Sequence, residues 1–132
     1  HEVRRHNVLA RITLEATGRV PAPAHDLLSG GAPCYGVYGT ADGRHLAVGS
    51  LEPKFWQAFC EGVGRPEWVR RHWAFGLVPG SAESMALRDD VAALLRTKTM
   101  GEWAALLDGP ETCVTPVLRL DEVDAHPVFA GR

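Results

Sequence analysis

At 132 residues, 45% of them hydrophobic, the chain is long enough for one domain with a sizeable core. Its net charge of −2, with basic residues scattered among acids, excludes a nucleic-acid-binding face. No apolar run approaches the roughly 20 residues that span a bilayer, so neither nucleic acid nor membrane is expected as a partner. Residues 3–16 read as a helix, with Val8, Leu9, Ile12 and Glu15 at near-helical spacing and Gly18 as its stop. Pro21, Pro23 and Ser29-Gly30-Gly31 make the next segment a linker of the kind that crosses between domains.

A hairpin follows. Tyr35, Val37 and Tyr38 supply β-propensity, Ala41-Asp42-Gly43 is a turn whose glycine tolerates positive φ, and Leu46, Ala47 and Val48 form the return strand. Glu52-Pro53 reads as a helix opening, with proline at an early helical position and an acid near the positive end of the dipole. Phe55, Trp56, Phe59, Cys60 and Val63 form an apolar stripe that ends at Gly64. Gly64 to Trp68 starts a second short helix, with Trp68, Val69, Trp73 and Phe75 as core candidates. Pro79-Gly80 breaks it, and Ser81 caps a long helix through Lys98 whose apolar face is Ala82, Met85, Ala86, Val91, Leu94 and Leu95.

Thr99 with Glu102 three residues on is a capping box, and Trp103, Leu106 and Leu107 form the buried side of the helix it opens. Asp108-Gly109-Pro110 stops that helix. The run from Cys113 to Leu118 is a last strand, at an edge because Pro116 cannot donate to a ladder. Leu120 to Ala125 forms a terminal helical turn with Asp121 as its cap. The fold class is α+β, a small three-stranded antiparallel sheet packed by several α-helices on one side.

Few side chains carry an obvious chemistry. Cys34, Cys60 and Cys113 follow no metal signature and read as reduced, buried thiols of a cytoplasmic protein. The six histidines show no metal spacing either, so no metal site is expected, and His72 reads as a surface or capping residue. The opening His1-Glu2-Val3-Arg4-Arg5 leads into no signal-like apolar region, and without Met it reads as a processed, trimmed or excised piece. Taken alone, Glu52 is a first-turn acid worth about 0.3–1 kcal/mol against the helix dipole. Gly30-Gly31 is a flexible connector that can also let backbone approach a ligand.

Three ordered segments, however, resemble a known family. Gly30-Gly31-Ala32-Pro33-Cys34-Tyr35, Thr40-Ala41-Asp42-Gly43 and Ala47-Val48-Gly49-Ser50-Leu51-Glu52-Pro53-Lys54-Phe55 are similar to GGAPFY, TADG and AVGAxEPQF of the small domain of class III (CaiB/BaiF type) CoA-transferases, closest to the α-methylacyl-CoA racemase branch. Cys113-Val114-Thr115-Pro116-Val117-Leu118 and His126-Pro127 match its CVTPVL and HP ending. Cys34 departs from the pattern, where an aromatic is usual, and Lys54 replaces Gln. The resemblance implies that residues 1–27 are a helix and linker from a large domain and that residues 28–132 are the small domain.

It implies further that the substrate of the whole enzyme is a coenzyme A thioester, with no cofactor bound by this domain. The partners are a large CoA-binding domain and a second subunit in an interlocked homodimer. Carried over by the motif, Glu52 points into the active site and supports a catalytic histidine, and Gly30-Gly31 belongs to a loop over the reacting thioester. The implied reaction is racemisation of 2-methylacyl-CoA by α-proton transfer. The alternatives are CoA transfer between carboxylic acids through an aspartyl anhydride, or a non-catalytic docking module. The large domain's catalytic residues lie outside this chain, which by itself is expected to be inactive.

Overall fold

Two five-residue strands with alternating burial build the sheet: β1 (Tyr35–Gly39) and β2 (His45–Gly49), paired antiparallel with Tyr38 opposite Leu46 and Gly36 opposite Val48. The computed structural model describes residues 11, 14–15, 18–20 and 22–126. Most of the helix read over 3–16, and Pro127 of the HP ending, therefore lie outside the described residues. A third strand, β3 (Val114–Pro116), pairs antiparallel with β2, giving the order β1-β2-β3. Pro116 sits on this outer strand, where a missing N–H costs no ladder bond. Tyr38, Leu46, Val48 and Val114 are buried, while Val37 and Thr115 on the opposite face are exposed. The three-stranded antiparallel sheet of an α+β fold is thus present, with one face in the core.

The hairpin turn shows why Gly43 is needed: its φ of +72° is a left-handed conformation. Asp42 in the same turn accepts from the Thr40 hydroxyl at 2.5 Å and from the Met100 N–H at 3.2 Å. The Thr40 hydroxyl first, and the Met100 amide with it, hold the Asp42 carboxyl below the usual carboxylate range. The turn is thereby tied to the start of a helix 58 residues away in sequence.

Helix α1 (Pro53–Gly62) buries Trp56, Phe59 and Cys60, the expected stripe, and Gly64 follows it with φ +73°. The segment after it forms two single 3₁₀ turns, Pro66–Trp68 and Trp73–Phe75, instead of one helix. Trp68 is buried, and its carbonyl accepts the Trp56 indole N–H at 3.0 Å. Trp73 and Phe75, read as core, are 41% and 45% exposed. A 3₁₀ turn repeats every three residues, so the helical spacing that paired them with Trp68 does not apply.

Helix α2 (Ala82–Leu95) begins at the expected Ser81 cap, whose hydroxyl accepts the Ser84 N–H at 3.1 Å. Its buried stripe is Ser84, Leu87, Val91 and Leu95: Val91 and Leu95 lie on the face read from sequence, but in the first half of the helix Ser84 and Leu87 take the buried positions and Ala82 and Ala86 are exposed. A polar residue can occupy that stripe because the Ser84 hydroxyl donates to the Gly31 carbonyl at 2.7 Å. Helix α3 (Met100–Leu107) carries the full Thr99/Glu102 capping box and buries Trp103 and Leu107, whereas Leu106 is exposed. Helix α4 (Leu120–Val123) is capped at Arg119 rather than Asp121, since the Arg119 N–H donates to Glu122 Oε2 at 2.8 Å. Glu122 also receives a forked contact from Arg44 at 2.9 and 2.6 Å, joining the end of the hairpin to this helix. The buried side chains of α1, α2 and α3 share one core with the inner face of the sheet.

Candidate active site

The residues that lead from the end of β2 into α1, Gly49 to Glu52, are held by contacts from two other parts of the chain. The Gly49 N–H donates to the Cys113 carbonyl at 2.8 Å, and a Cβ on Gly49 would stand 3.3 Å from that oxygen. Cys113 itself has φ +53°, a strained value for a residue with a side chain. The buried Ser50 donates its hydroxyl to the Thr112 carbonyl at 2.5 Å. Thr112 is buried as well, its hydroxyl donating to the Leu107 carbonyl and accepting from the Val114 N–H. From the far side, the Trp73 indole N–H donates to the Leu51 carbonyl at 2.8 Å.

At the end of this braced segment stands Glu52. Its backbone is extended (φ −85°, ψ 145°), it occupies the N-cap position, and Pro53 fixes the first helical residue after it. The Glu52 carbonyl accepts from the Phe55 and Trp56 N–H groups, both at 3.1 Å. Its carboxylate is exposed and caps nothing. The nearby ammonium of Lys54 lies over the Phe55 ring, 4.5 Å from its centroid. A rigid main chain thus presents a carboxylate with no partner among the described residues, a group able to accept hydrogen bonds or to sit beside a cation supplied from outside.

Beneath this segment lies His72, which is 1% exposed. Reading it as a capping residue holds, because Nδ1 accepts the Ala74 N–H at 3.2 Å, but reading it as a surface residue does not. Trp56, Trp73 and Phe75 surround the ring with centroids 5.5 to 6.2 Å away. Burial among these rings holds the imidazole below its ordinary range, and the Ser50 and Leu51 carbonyls oppose that shift. No spacing in the sequence links His72 or Trp73 to residues about 20 positions earlier.

Gly30 and Gly31 lie elsewhere, at the start of α2. Gly30 has φ +106°, and Gly31 is buried with its N–H on the Asp26 carbonyl at 2.8 Å. The Gly31 carbonyl accepts both the Gly80 N–H at 2.9 Å and the Ser84 hydroxyl at 2.7 Å. No described hydrogen bond or ion pair joins Gly30 or Gly31 to Glu52. Cys34, two residues beyond the turn's Ala32, is buried, and burial pushes its thiol up to about 12, which makes it a poor nucleophile. Among the described residues no His, Cys, Asp and Glu cluster could hold a metal ion, and no helix is long and apolar enough to cross a membrane. A groove of about 400 Å³ lined by Arg65, Trp68, Asp90, Ala93, Leu94 and Thr97 contains none of the expected site residues.

Known proteins give this geometry its context. The family described as CoA-transferase family III matches residues 6–132. Alpha-methylacyl-CoA racemase of Homo sapiens is 38% identical over 102 residues, which is 76% of this chain and 25% of the human protein. The CaiB/baiF CoA-transferase family protein ZK892.4 of Caenorhabditis elegans is 35% identical over 109 residues, 80% of this chain and 28% of that one. The chain therefore spans about a quarter of the length of these curated relatives. A mutant form of Rv3272 from Mycobacterium tuberculosis superposes on 73% of this chain and 26% of its own, with a TM-score of 0.57 and 27% identity.

Proposed function

Because this chain belongs to CoA-transferase family III, we propose that it is the small domain of an acyl-CoA enzyme that racemises 2-methylacyl-CoA thioesters by α-proton transfer. The observation that carries this reading is Glu52, an exposed carboxylate without a partner among the described residues, on a main chain braced through Gly49, Ser50 and Leu51. Likeness to the human racemase, at 38% identity, supports the reaction type. In this reading residues 28–132 are the small domain and residues 1–27 a helix and linker from a large CoA-binding domain. The catalytic base and acid come from that large domain, and the active site is completed across an interlocked homodimer in the cytoplasm.

The chemistry assigns Glu52 a limited part. A histidine base takes the α-proton, the thioester enolate is held by preorganised donors, and an acid returns a proton to the opposite face. Glu52 accepts a hydrogen bond from the base's other ring nitrogen, fixing its tautomer and favouring the imidazolium once the proton has moved. The Gly30-Gly31 turn serves as part of the loop beside the thioester. This domain contributes no metal and no cofactor, and the coenzyme A thioester is the substrate.

The second reading is transfer of CoA between carboxylic acids through an aspartyl anhydride, favoured by the 35% identity to the CaiB/baiF family protein. There Glu52 has no assigned part. The third, that the chain alone is a docking module, is compatible with either and rests on its spanning a quarter of its relatives.

The test is α-deuterium exchange into 2-methylacyl-CoA in heavy water by the complete enzyme, with no acceptor acid present. Exchange supports the racemase, and Glu52→Gln is then expected to lower the exchange rate by about tenfold or more while leaving the fold intact. Absence of exchange, with CoA passing to an added carboxylic acid, refutes the racemase in favour of the transferase.

A further inference from the structure

Trp73 has no part in the chemistry just described, yet it differs from the other tryptophans of the chain. Trp56, Trp68 and Trp103 are buried, whereas Trp73 is 41% exposed, so burial contributes less to its place here. Its indole N–H reaches from a 3₁₀ turn to the Leu51 carbonyl at 2.8 Å, across 22 residues of sequence. The turn that carries it is fixed at both ends. His72 Nδ1 accepts the Ala74 N–H at 3.2 Å, and the Gly76 N–H donates to the Trp73 carbonyl at 3.1 Å.

What the indole bond holds is one particular peptide. The Leu51 carbonyl and the Glu52 N–H belong to a single planar unit, so fixing the oxygen fixes the plane from which the Glu52 Cα departs. The peptide on the other side of Glu52 is fixed as well. Pro53 confines the residue before it to extended backbone, with ψ 145° here, and the Glu52 carbonyl accepts the Phe55 and Trp56 N–H groups at 3.1 Å each. With both flanking peptides set, the direction of the Glu52 Cα–Cβ bond is set too, although the carboxylate caps nothing.

We propose that Trp73 is a positioning residue: its indole N–H, presented by the capped 3₁₀ turn, holds the Leu51–Glu52 peptide and, with Pro53, fixes the direction in which the Glu52 side chain leaves the main chain. The consequence for catalysis rests on the role of Glu52 proposed above; the mechanical part does not. A carboxylate that supports a base across a domain boundary must be placed to within a fraction of an ångström, and small displacements cost rate far more than binding.

Trp73→Phe removes the N–H and keeps a ring. Phe75→Leu alters the other exposed aromatic of the same turn, whose side chain has no hydrogen-bonding atom. In the complete enzyme, amide hydrogen exchange of the peptide over residues 49–56 and the kcat and KM of α-deuterium exchange are measured for both, and for Trp73→Phe combined with Glu52→Gln. The expected result for Trp73→Phe is peptide exchange faster by about tenfold and kcat lower by about tenfold with KM within about twofold, the value of roughly one hydrogen bond. Phe75→Leu is expected to leave the peptide's exchange as it is. In the Glu52→Gln background, Trp73→Phe is expected to lower kcat by less than about twofold, because a residue acting through Glu52 then has nothing left to position. Unaltered peptide exchange in Trp73→Phe overturns the positioning role, and so does equal acceleration in Phe75→Leu. A full additional tenfold loss of kcat in the double variant overturns the route through Glu52. If Glu52→Gln alone leaves kcat unchanged, the catalytic reading of Glu52 fails, and faster peptide exchange in Trp73→Phe still supports the hold on its peptide.

Discussion

Replacing Gly31 by alanine tests whether the turn before β1 is a packed joint. A Cβ on Gly31 would lie 2.4 Å from both the carbonyl carbon and oxygen of His25 and 2.8 Å from the Asp26 nitrogen. All three are main-chain atoms, so no side chain can swing aside. Restoring an ordinary contact requires a shift of roughly 1 Å. The Gly31 peptide, however, is held at 2.8 Å to Asp26, 2.9 Å to Gly80 and 2.7 Å to the Ser84 hydroxyl. Such a shift breaks one or two of these buried bonds at about 1 kcal/mol each, and orphans the Ser84 hydroxyl inside α2's buried stripe. With the overpacking itself costing about 1–3 kcal/mol, the expected loss is about 2–5 kcal/mol. Urea unfolding followed by circular dichroism measures it. Gly43→Ala is the control: φ is +72° there, but a Cβ meets nothing within 4 Å, so only about 1–2 kcal/mol of backbone strain is expected. A Gly31→Ala variant within about 0.5 kcal/mol of the parent, or milder than Gly43→Ala, refutes the packed joint and returns Gly31 to a freely hinged loop.

Other consequences follow from burial. Cys34 and Cys60 are buried with thiols pushed up to about 12, while Cys113 is half-buried, so one thiol in three is expected to react quickly with an aromatic disulfide reagent before unfolding and all three afterwards. Two or more fast thiols in the folded chain contradict this packing. Burial also lowers the His72 pKa, so the unfolded chain binds that proton more readily than the folded one; its stabilising effect is complete above the ordinary imidazole range and is lost as pH falls through it. Urea midpoints are expected to drop between about pH 7 and about pH 5.5, with a slope of at most about 1.4 kcal/mol per pH unit, and His72→Asn is expected to flatten that drop. The Asp42, Glu102 and Glu122 carboxylates, held low by hydrogen bonds and by Arg44, act in the same direction only at more acid pH.

What could be read from the sequence was what local rules decide. The Ala41-Asp42-Gly43 turn, the stripe from Trp56 to Val63, the Ser81 cap and the Thr99/Glu102 box each depend on residues within one or two turns of one another, and all are present. The buried face in the first half of α2 was hidden because Ser84 is buried on the strength of a carbonyl 53 residues earlier. Trp73 was misread for a similar reason. Its exposed ring is retained by a bond to Leu51 across 22 residues, and hydrophobicity alone placed it in the core. Glu52 could be singled out by its motif, yet that its carboxylate has no partner among the described residues is a fact of three dimensions. His72, buried among aromatic rings with its Nδ1 on the Ala74 N–H, carries no sequence signal beyond its position before a short turn.

The isolation of Glu52 also bears on how a site of this kind would work when complete. An exposed carboxylate attracts a cation 4 Å away by only about 1 kcal/mol in water, and by about 4 kcal/mol where the effective dielectric is near 20. Left uncovered, Glu52 is too well solvated to shift the proton affinity of a neighbouring imidazole by much. Covered by a second domain, the same carboxylate gains severalfold in influence without moving. Presenting it on a braced loop, free of any ion pair with the described residues, keeps that influence in reserve for the group that does the covering. An internal lysine or arginine partner would have neutralised it beforehand, and Lys54, two residues away, is turned instead onto the Phe55 ring. In the proposed enzyme, docking of the large domain would therefore switch on the electrostatics as well as complete the list of residues.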